Sequence, residues 1–376
     1  METRSRGGGA EQGLRKRARA GEPRDQPPPN GLYLVVEHET ENKCEVIKPP
    51  SHAGAPFGAP GMSFVAVSSS NHGGDWIVGV GGKTTVTYDA GTSEVIRGPP
   101  VLSPKHQPVL ISHGGMLYAI TRRPRVVPWT DFEVLSFEDG IPSINYPYAT
   151  EKECFAYWEE LPPPPFFPCR LTPIEFRNPP EVCVGSYAAV DGRIFLSLQQ
   201  EEGTYVFHVA SKTWERVDDS NLPFIGPAAP LCDRMFAACT KTRSNNEDAI
   251  TLFSLPMDGS TKWLPIREFV VGPTDHVSRQ FLCPLPGGRS FCWINTMHPD
   301  SATSIQLNSK LKSVLATFTI FQLKNLEGND DFSASSVTLE KLGKPGQLIH
   351  TLSEGESSPV TLIAALTHNA TSACDL

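Results

Sequence analysis

The sequence predicts an all-β chain closed into a six-bladed β-propeller, with seven blades as the alternative count. Three observations predict it. From residue 31 onward the apolar residues fall in runs of four to eight, rich in Val, Ile, Phe and Tyr and bounded by Gly, Pro, Asp and Ser, with almost no helical period. The runs recur as a unit: two apolar strands about a Gly-bearing turn, a strand of the type Val-x-Tyr-Asp, a turn of about six residues, and a strand with Trp or Val before Pro. Pro and Gly supply 35 and 31 of 376 residues, above the average usage of roughly 12%, as many short elements joined by turns require.

The clearest unit spans residues 63–100: SFVAVS, a turn at His72-Gly73-Gly74, DWIVGV, TTVTYDA and SEVIRGPP. A second has PVLIS, His113-Gly114-Gly115, MLYAI, FEVLSF and FAYWEELPPPP. The third reads GSYAAV, Asp191-Gly192, RIFLSL, GTYVFHVA and KTWERV. The fourth has APL, Cys232-Asp233-Arg234, MFAAC, AITLFSLP and TKWLPI, and the fifth QFLCPL, Pro286-Gly287-Gly288, SFCWIN, SVLATFTIF and SSVTLEKL. The remainder makes a sixth: two strands from the C-terminus (QLIHTL, VTLIAAL) and two from the N-terminus (LYLVVE, CEVIKPP). A four-stranded unit cannot bury both faces alone, so the units pack radially and the ring closes by pairing terminal strands in one blade. Trp158, Trp214 and Trp263 are expected to fill space between blades.

Three segments follow. Residues 1–30 contain no Ile, Val, Phe, Trp or Tyr and read as a disordered tail, 31–370 as the propeller, and 371–376 as a C-terminal tail. Arg15, Lys16, Arg17 and Arg19 form a basic cluster, read as a solvated tail or a nuclear-import signal. The apolar runs are too short for a membrane-spanning helix, which needs about 20 apolar residues. Nine scattered cysteines without a C-x-x-C pair exclude a disulfide framework or zinc module and fit a reducing cytoplasmic or nuclear setting. Without a signal peptide, the sequon at Asn369 reads as chance.

These residues resemble the kelch and galactose-oxidase type of β-propeller: Gly-Gly after an apolar strand (Gly114-Gly115, Gly287-Gly288), a Tyr-Asp pair (Tyr88-Asp89), and Trp before a Pro-bearing connection (Trp158 to Pro162). The run GTYVFHVASKTWERVDDSNLPFIGPAAPL, with ISHGGMLYAI upstream, is similar to a large family of uncharacterised kelch-like proteins in grasses. That resemblance covers residues 31–370 and implies a fold without an activity. Units four and six depart from it by lacking the Gly-Gly doublet.

No chemistry-bearing motif survives inspection. GVGGKTT at 79–85 has Ile77 where a phosphate loop needs Gly, and continues as a strand rather than a helix. A galactose-oxidase-like copper site would draw on the ten histidines, but none forms a close pair; His72 and His113 recur before Gly-Gly and read as turn caps. There is no G-x-S-x-G, and the pairs Glu159-Glu160, Asp218-Asp219 and Asp330-Asp331 read as solvated surface. A net charge of −8 argues against a nucleic-acid surface. Two loops are left as marks of a binding face: the Pro-rich run LPPPPFFPC at 161–169, whose plainer reading is a blade-to-blade connection, and the insertion at 296–312.

The expected function is therefore a monomeric, non-catalytic protein-interaction scaffold without cofactor, catalytic or metal residues, binding an unidentified protein partner and neither nucleic acid nor membrane. Its alternatives are an enzyme or small-molecule or metal-binding protein using the propeller channel, a diverged copy with little retained function, and a ubiquitin-ligase substrate receptor. The last resembles plant kelch proteins with an F-box ahead of the propeller. Residues 1–30 lack the apolar content for an F-box, so that reading needs a separate adaptor.

Overall fold

The computed structural model describes residues 29, 31–38, 41, 43–49, 54–69, 74–122, 131–142, 157–167, 172–177, 183–199, 203–232, 234–242, 247–256, 261–272, 277–297, 313–324, 338–351 and 360–367. The chain opens with β1 (Leu32–His38), β2 (Lys43–Ile47) and β3 (Gly54–Pro56). Unit I follows as β4 (Ser63–Ser69), β5 (Gly74–Gly81), β6 (Thr84–Asp89) and β7 (Val95–Arg97), and unit II as β8 (Val109–His113), β9 (Met116–Ile120), β10 (Phe132–Ser136) and β11 (Glu159–Glu160). After the five-residue helix α1 (Pro173–Arg177), unit III comprises β12 (Val184–Val190), β13 (Arg193–Leu198), β14 (Thr204–His208) and β15 (Thr213–Asp218). Unit IV is β16 (Ile225–Pro230), β17 (Met235–Lys241), β18 (Asp248–Ser254) and β19 (Leu264–Gly272). Unit V is β20 (Val277–Pro284), β21 (Ser290–Met297), β22 (Ser313–Lys324) and β23 (Thr338–Thr351), followed by β24 (Val360–Thr367).

Within each unit consecutive strands pair antiparallel, and a short parallel pairing, Ser186↔Gly226 and Tyr187↔Pro227, joins units III and IV into one eight-stranded sheet. Among the described residues the first strands neighbour one another in a cycle, β4 to β8, β12, β16, β20, β24 and back to β4. The molecule is a β-propeller, and its core is divided accordingly. Six apolar clusters each lie between two adjacent units: Phe57 with Ile77, Trp76 with Phe137, Phe132 with Phe207, Phe195 with Trp263, Ile250 with Phe291, and Phe318 with Leu34. Strand β13 gives the reason for the uninterrupted apolar runs. Its Ile194, Leu196 and Leu198 enter the cluster toward unit II, while Phe195 between them enters the cluster toward unit IV. Alternate side chains point to opposite faces of a strand, and here both faces are covered, so hydrophobicity does not alternate.

The closing unit corrects the sequence expectation. Its strand order is β24-β1-β2-β3, one strand from the C-terminal end and three from the N-terminal end, rather than two from each. Residues 347–351, expected as a first strand of the sixth unit, instead continue β23 at the outer edge of unit V. The register explains how: the partner of Phe318 is Gly346 and that of Ile320 is Leu342, so a bulge absorbs Gly343, Lys344 and Pro345. Proline lacks a backbone donor and is accommodated at bulges and edge strands. The third N-terminal strand, Gly54-Ala55-Pro56, contains no β-former and is held by pairing with Glu45, Val46 and Ile47.

The tryptophans fill inter-unit space as expected, and two of them also explain the Trp and Pro of the repeat. The indole of Trp158 in unit II donates to the Pro99 carbonyl at 3.2 Å and to Thr85 Oγ1 at 3.0 Å, both in or leaving unit I. Trp214 in unit III likewise donates to the Pro162 carbonyl of the connection leaving unit II, at 2.9 Å. Among the described residues the buried Trp263 Nε1 has no hydrogen-bond partner. Trp158→Phe is thus expected to cost more stability than Trp263→Phe, by about 1–3 kcal/mol for the acceptors left buried and unpaired. Paired urea titrations measure the difference.

Candidate interaction surface

Antiparallel order divides the connections between two faces. Turns joining first to second and third to fourth strands share one rim, the turn face; turns joining second to third strands share the other with the crossovers between units, the crossover face. On the turn face the short turns clasp across units. The Gly192 N–H donates to His113 Nε2 at 2.9 Å, Arg234 Nη2 meets Asp191 Oδ2 at 2.7 Å, and the Cys232 N–H donates to the Gly288 carbonyl at 2.8 Å. His113 therefore caps the neighbouring unit's turn; His72 lies outside the described residues. Asp191 has φ 48° and Gly192 φ 66°, the left-handed geometry for which Asp and Gly are suited in a two-residue hairpin.

Both loops singled out in the sequence belong to the crossover face. In the Pro-rich run, Leu161, Phe166 and Phe167 are buried in the cluster between units II and III while Pro162, Pro163 and Pro165 are exposed, so the described part is a packed connection. The insertion leaves β21 and returns at β22; its residues 298–312 lie outside the described residues, as do Pro168 and Cys169 of the Pro-rich run. GVGGKTT is a two-residue hairpin turn, with Gly81 paired to Thr84 and Gly82 at φ 56°. Gly82 also bridges to Lys105 in the crossover from unit I to unit II.

That crossover holds the site the sequence reading missed. Lys105 Nζ meets Glu133 Oε1 at 2.7 Å, and both side chains are 0% exposed. Glu133 also accepts the Leu102 N–H at 2.8 Å and the Ser103 N–H at 3.2 Å, while Lys105 donates to Ser103 Oγ at 3.2 Å. A buried ion pair of this kind adds little net stability over an apolar replacement, because desolvation offsets its attraction. Its effect is positional: a carboxylate on β10 of unit II fixes the backbone of a loop leaving unit I. The one signal in the sequence was Glu133 inside the apolar string FEVLSF.

Among the described residues no group of three or more His, Cys, Asp and Glu side chains is arranged to hold a metal ion. Glu159 and Glu160 are exposed, Glu159 paired with Lys212; Asp218 accepts the Ser220 N–H, and Asp219 pairs with Arg216. Arg15, Lys16, Arg17, Arg19, Asp330, Asp331 and Asn369 lie outside the described residues.

Cys44, Cys183, Cys232, Cys239, Cys283 and Cys292 are free thiols. Burial pushes Cys44, Cys239 and Cys292 up to about 12, and Cys283 well above the usual thiol value. A thiol reagent at pH 8 is expected to leave these four unmodified until denaturant is added. The folded state holds these protons more tightly than the unfolded chain. Stability is therefore complete below the unfolded thiol value near 9.0 and falls as pH rises toward about 12, by up to about 1.4 kcal/mol per pH unit per thiol. Urea midpoints across that window test the sign.

The solved structures to which the chain is similar include two propeller domains. One is the β-propeller domain of Cps50 (Swd1) from Myceliophteria thermophila, at 7% identity over 77% of this chain and 82% of that chain, with a TM-score of 0.37. The other is the WD40 domain of SCAP from fission yeast, at 9% identity over 84% of this chain and 76% of that chain, with a TM-score of 0.32. Scores this low carry no functional argument. No curated protein sequence matches the chain. The family model described as protein of unknown function (DUF1668) matches residues 33–338, from the first N-terminal strand to the outer strand of unit V, and the chain belongs to that family.

Proposed function

We propose that the protein is a non-catalytic interaction scaffold that binds a protein partner through loops on the crossover face. The observation that carries this reading is the crossover leaving unit I, whose backbone is fixed by the buried Glu133 and Lys105 while its Leu102 is exposed. On the turn face the first-to-second turns Gly114-Gly115 and Asp191-Gly192 join strands in two residues and are occupied in holding units together, while longer connections run there from Ser136 to Glu159 and from Lys324 to Thr338. The crossovers from Arg97 to Val109 and from Glu160 to Val184, and the insertion from Met297 to Ser313, leave at the opposite rim. Long connections on a rigid ring are the common site of recognition. The ring is read as kelch-like from its Gly-Gly doublets and Trp-Pro connections, as a monomer, and as a cytoplasmic or nuclear protein.

Affinity purification of tagged full-length protein from its native tissue tests this reading, with a parallel version lacking residues 1–30 and mass spectrometry as the readout. Reproducible enrichment of defined proteins, lost on altering crossover-face loops, is the expected result. Enrichment of nothing beyond background in either form, or a bound transition metal in the purified protein, overturns it.

A further inference from the structure

We infer that the crossover from unit I to unit II is a docking surface for an acidic peptide segment carrying one large apolar residue. The inference rests on the interaction-scaffold reading and names the surface and the chemistry of the partner. It begins with an anomaly of burial. Along this crossover Val101, Ser103 and Lys105 are 3%, 3% and 1% exposed, whereas Leu102 between them is 48% exposed. An exposed leucine on a loose loop would mean little. Here its own backbone N–H is clamped by Glu133, and the chain is held again two residues beyond Ser103 by the reciprocal hydrogen bonds of Lys105 and Gly82, at 2.7 and 2.8 Å. The leucine is presented on a fixed backbone, as a binding anchor needs to be, since little ordering entropy is then lost on association.

The surroundings decide the partner. Lys83 in the adjoining hairpin turn, Arg97 at the start of the crossover and His106 beyond the buried pair are exposed, and Arg122, half-buried, donates to the Gln107 carbonyl at 2.8 Å. The His106 ring lies over Gly61, where a Cβ would approach it to 2.6 Å, so the absence of a side chain at Gly61 makes room for it. On this face of units I and II the described acids are Asp131, which is half-buried, and Glu133, which Lys105 neutralises; Glu159, paired with Lys212, and Glu160 lie on the outer strand. Asp75, Asp89, Glu94, Glu138 and Asp139 are at the ends of strands on the turn face. Among the described residues of these two units, the Lys and Arg side chains gather at the crossover rim and most carboxylates at the turn rim. An apolar anchor on a rim that also carries Lys83, Arg97 and Arg122 is complementary to a peptide with Asp or Glu flanking an apolar side chain. A nucleic-acid backbone needs a longer basic stripe, and a central leucine offers it nothing.

The test pans a random peptide library against the full-length protein and measures selected peptides by fluorescence anisotropy. Enriched peptides are expected to share Asp or Glu around one Leu, Phe or Met. Their affinity is expected to fall about tenfold in Leu102→Ser, as for loss of a central anchor, and comparably in Lys83→Gln combined with Arg122→Gln. It should also weaken with added salt. Glu138→Gln and Asp139→Asn on the turn face serve as controls that leave binding unchanged, and unfolding midpoints equal to the wild type's show that the variants are folded. Peptides without acidic residues, or acidic peptides insensitive to the crossover substitutions, overturn this surface assignment; affinity purification that still enriches a partner then leaves the scaffold reading standing. Equal binding of a uridine dodecamer, lost in the same variants, also overturns it in favour of a polyanion site. Empty panning together with empty purification fails both readings.

Discussion

Replacing Glu133 by Leu is expected to destabilise the protein by about 3–5 kcal/mol, the cost of leaving a buried charge without its partner. The magnitude follows from what the carboxylate does. It neutralises Lys105 at 2.7 Å and accepts the N–H groups of Leu102 and Ser103, all within a region where both charged side chains are 0% exposed. Removing it takes the counter-charge from one buried ammonium and the acceptor from two backbone donors together. Lys105→Met is expected to cost less, because Glu133 keeps three donors from Leu102 and Ser103, the serine hydroxyl at 3.4 Å among them. The double variant Glu133→Leu with Lys105→Met should recover part of the loss but not all, since the two backbone N–H groups are still unpaired at roughly 1–3 kcal/mol each. Urea unfolding of the three variants orders them. A Glu133→Leu variant no less stable than Lys105→Met would mean that the ion pair, and not the loop clamp, dominates this site.

The same residues mark where the sequence was legible and where it was not. Strings such as RIFLSL and DWIVGV are strands on any reading, because a blade covered on both faces makes each strand a short continuous apolar run. Turn residues located the strand ends equally well: Asp191-Gly192 and Gly114-Gly115 have the positive φ their types suggest. Counting strands into units failed only at the seam. There Gly343-Lys344-Pro345-Gly346 carries every local mark of a turn, yet the strand passes through it as a bulge on an outer edge, where missing hydrogen bonds cost little. Gly54-Ala55-Pro56 is the converse, a strand made by its neighbour and not by its own propensity. The clamp at Glu133 was hidden for another reason. Its partners Leu102, Ser103 and Lys105 come from 28 to 31 residues away in a segment without periodicity, and only the packing of unit I against unit II brings them together.

Closure by a single C-terminal strand makes the last prediction. Deleting residues 360–376 is expected to abolish cooperative unfolding and leave the protein largely insoluble. Strand β24 is the sole partner of the inner edge of β1, registered from Leu32↔Thr367 to His38↔Val360, and it neighbours both β20 and β4. Its Leu362 and Ala365 enter the cluster between unit V and the closing unit, and its Ala364 the cluster between the closing unit and unit I. Without it two of the six inter-unit clusters open to water, along with an unpaired strand edge that invites aggregation. A circular permutant separates this loss of a strand from mere shortening of the chain. Thr367 and Leu32 face each other across the pair, so a hairpin linker of about 2–5 residues can join them, with new ends opened at 243–246 between β17 and β18. The permutant keeps every strand and is expected to melt within a few degrees of the wild type, whereas the truncation shows no transition. Circular dichroism melts of both proteins decide it, and a truncated chain that still unfolded sharply would place the seam elsewhere in the ring.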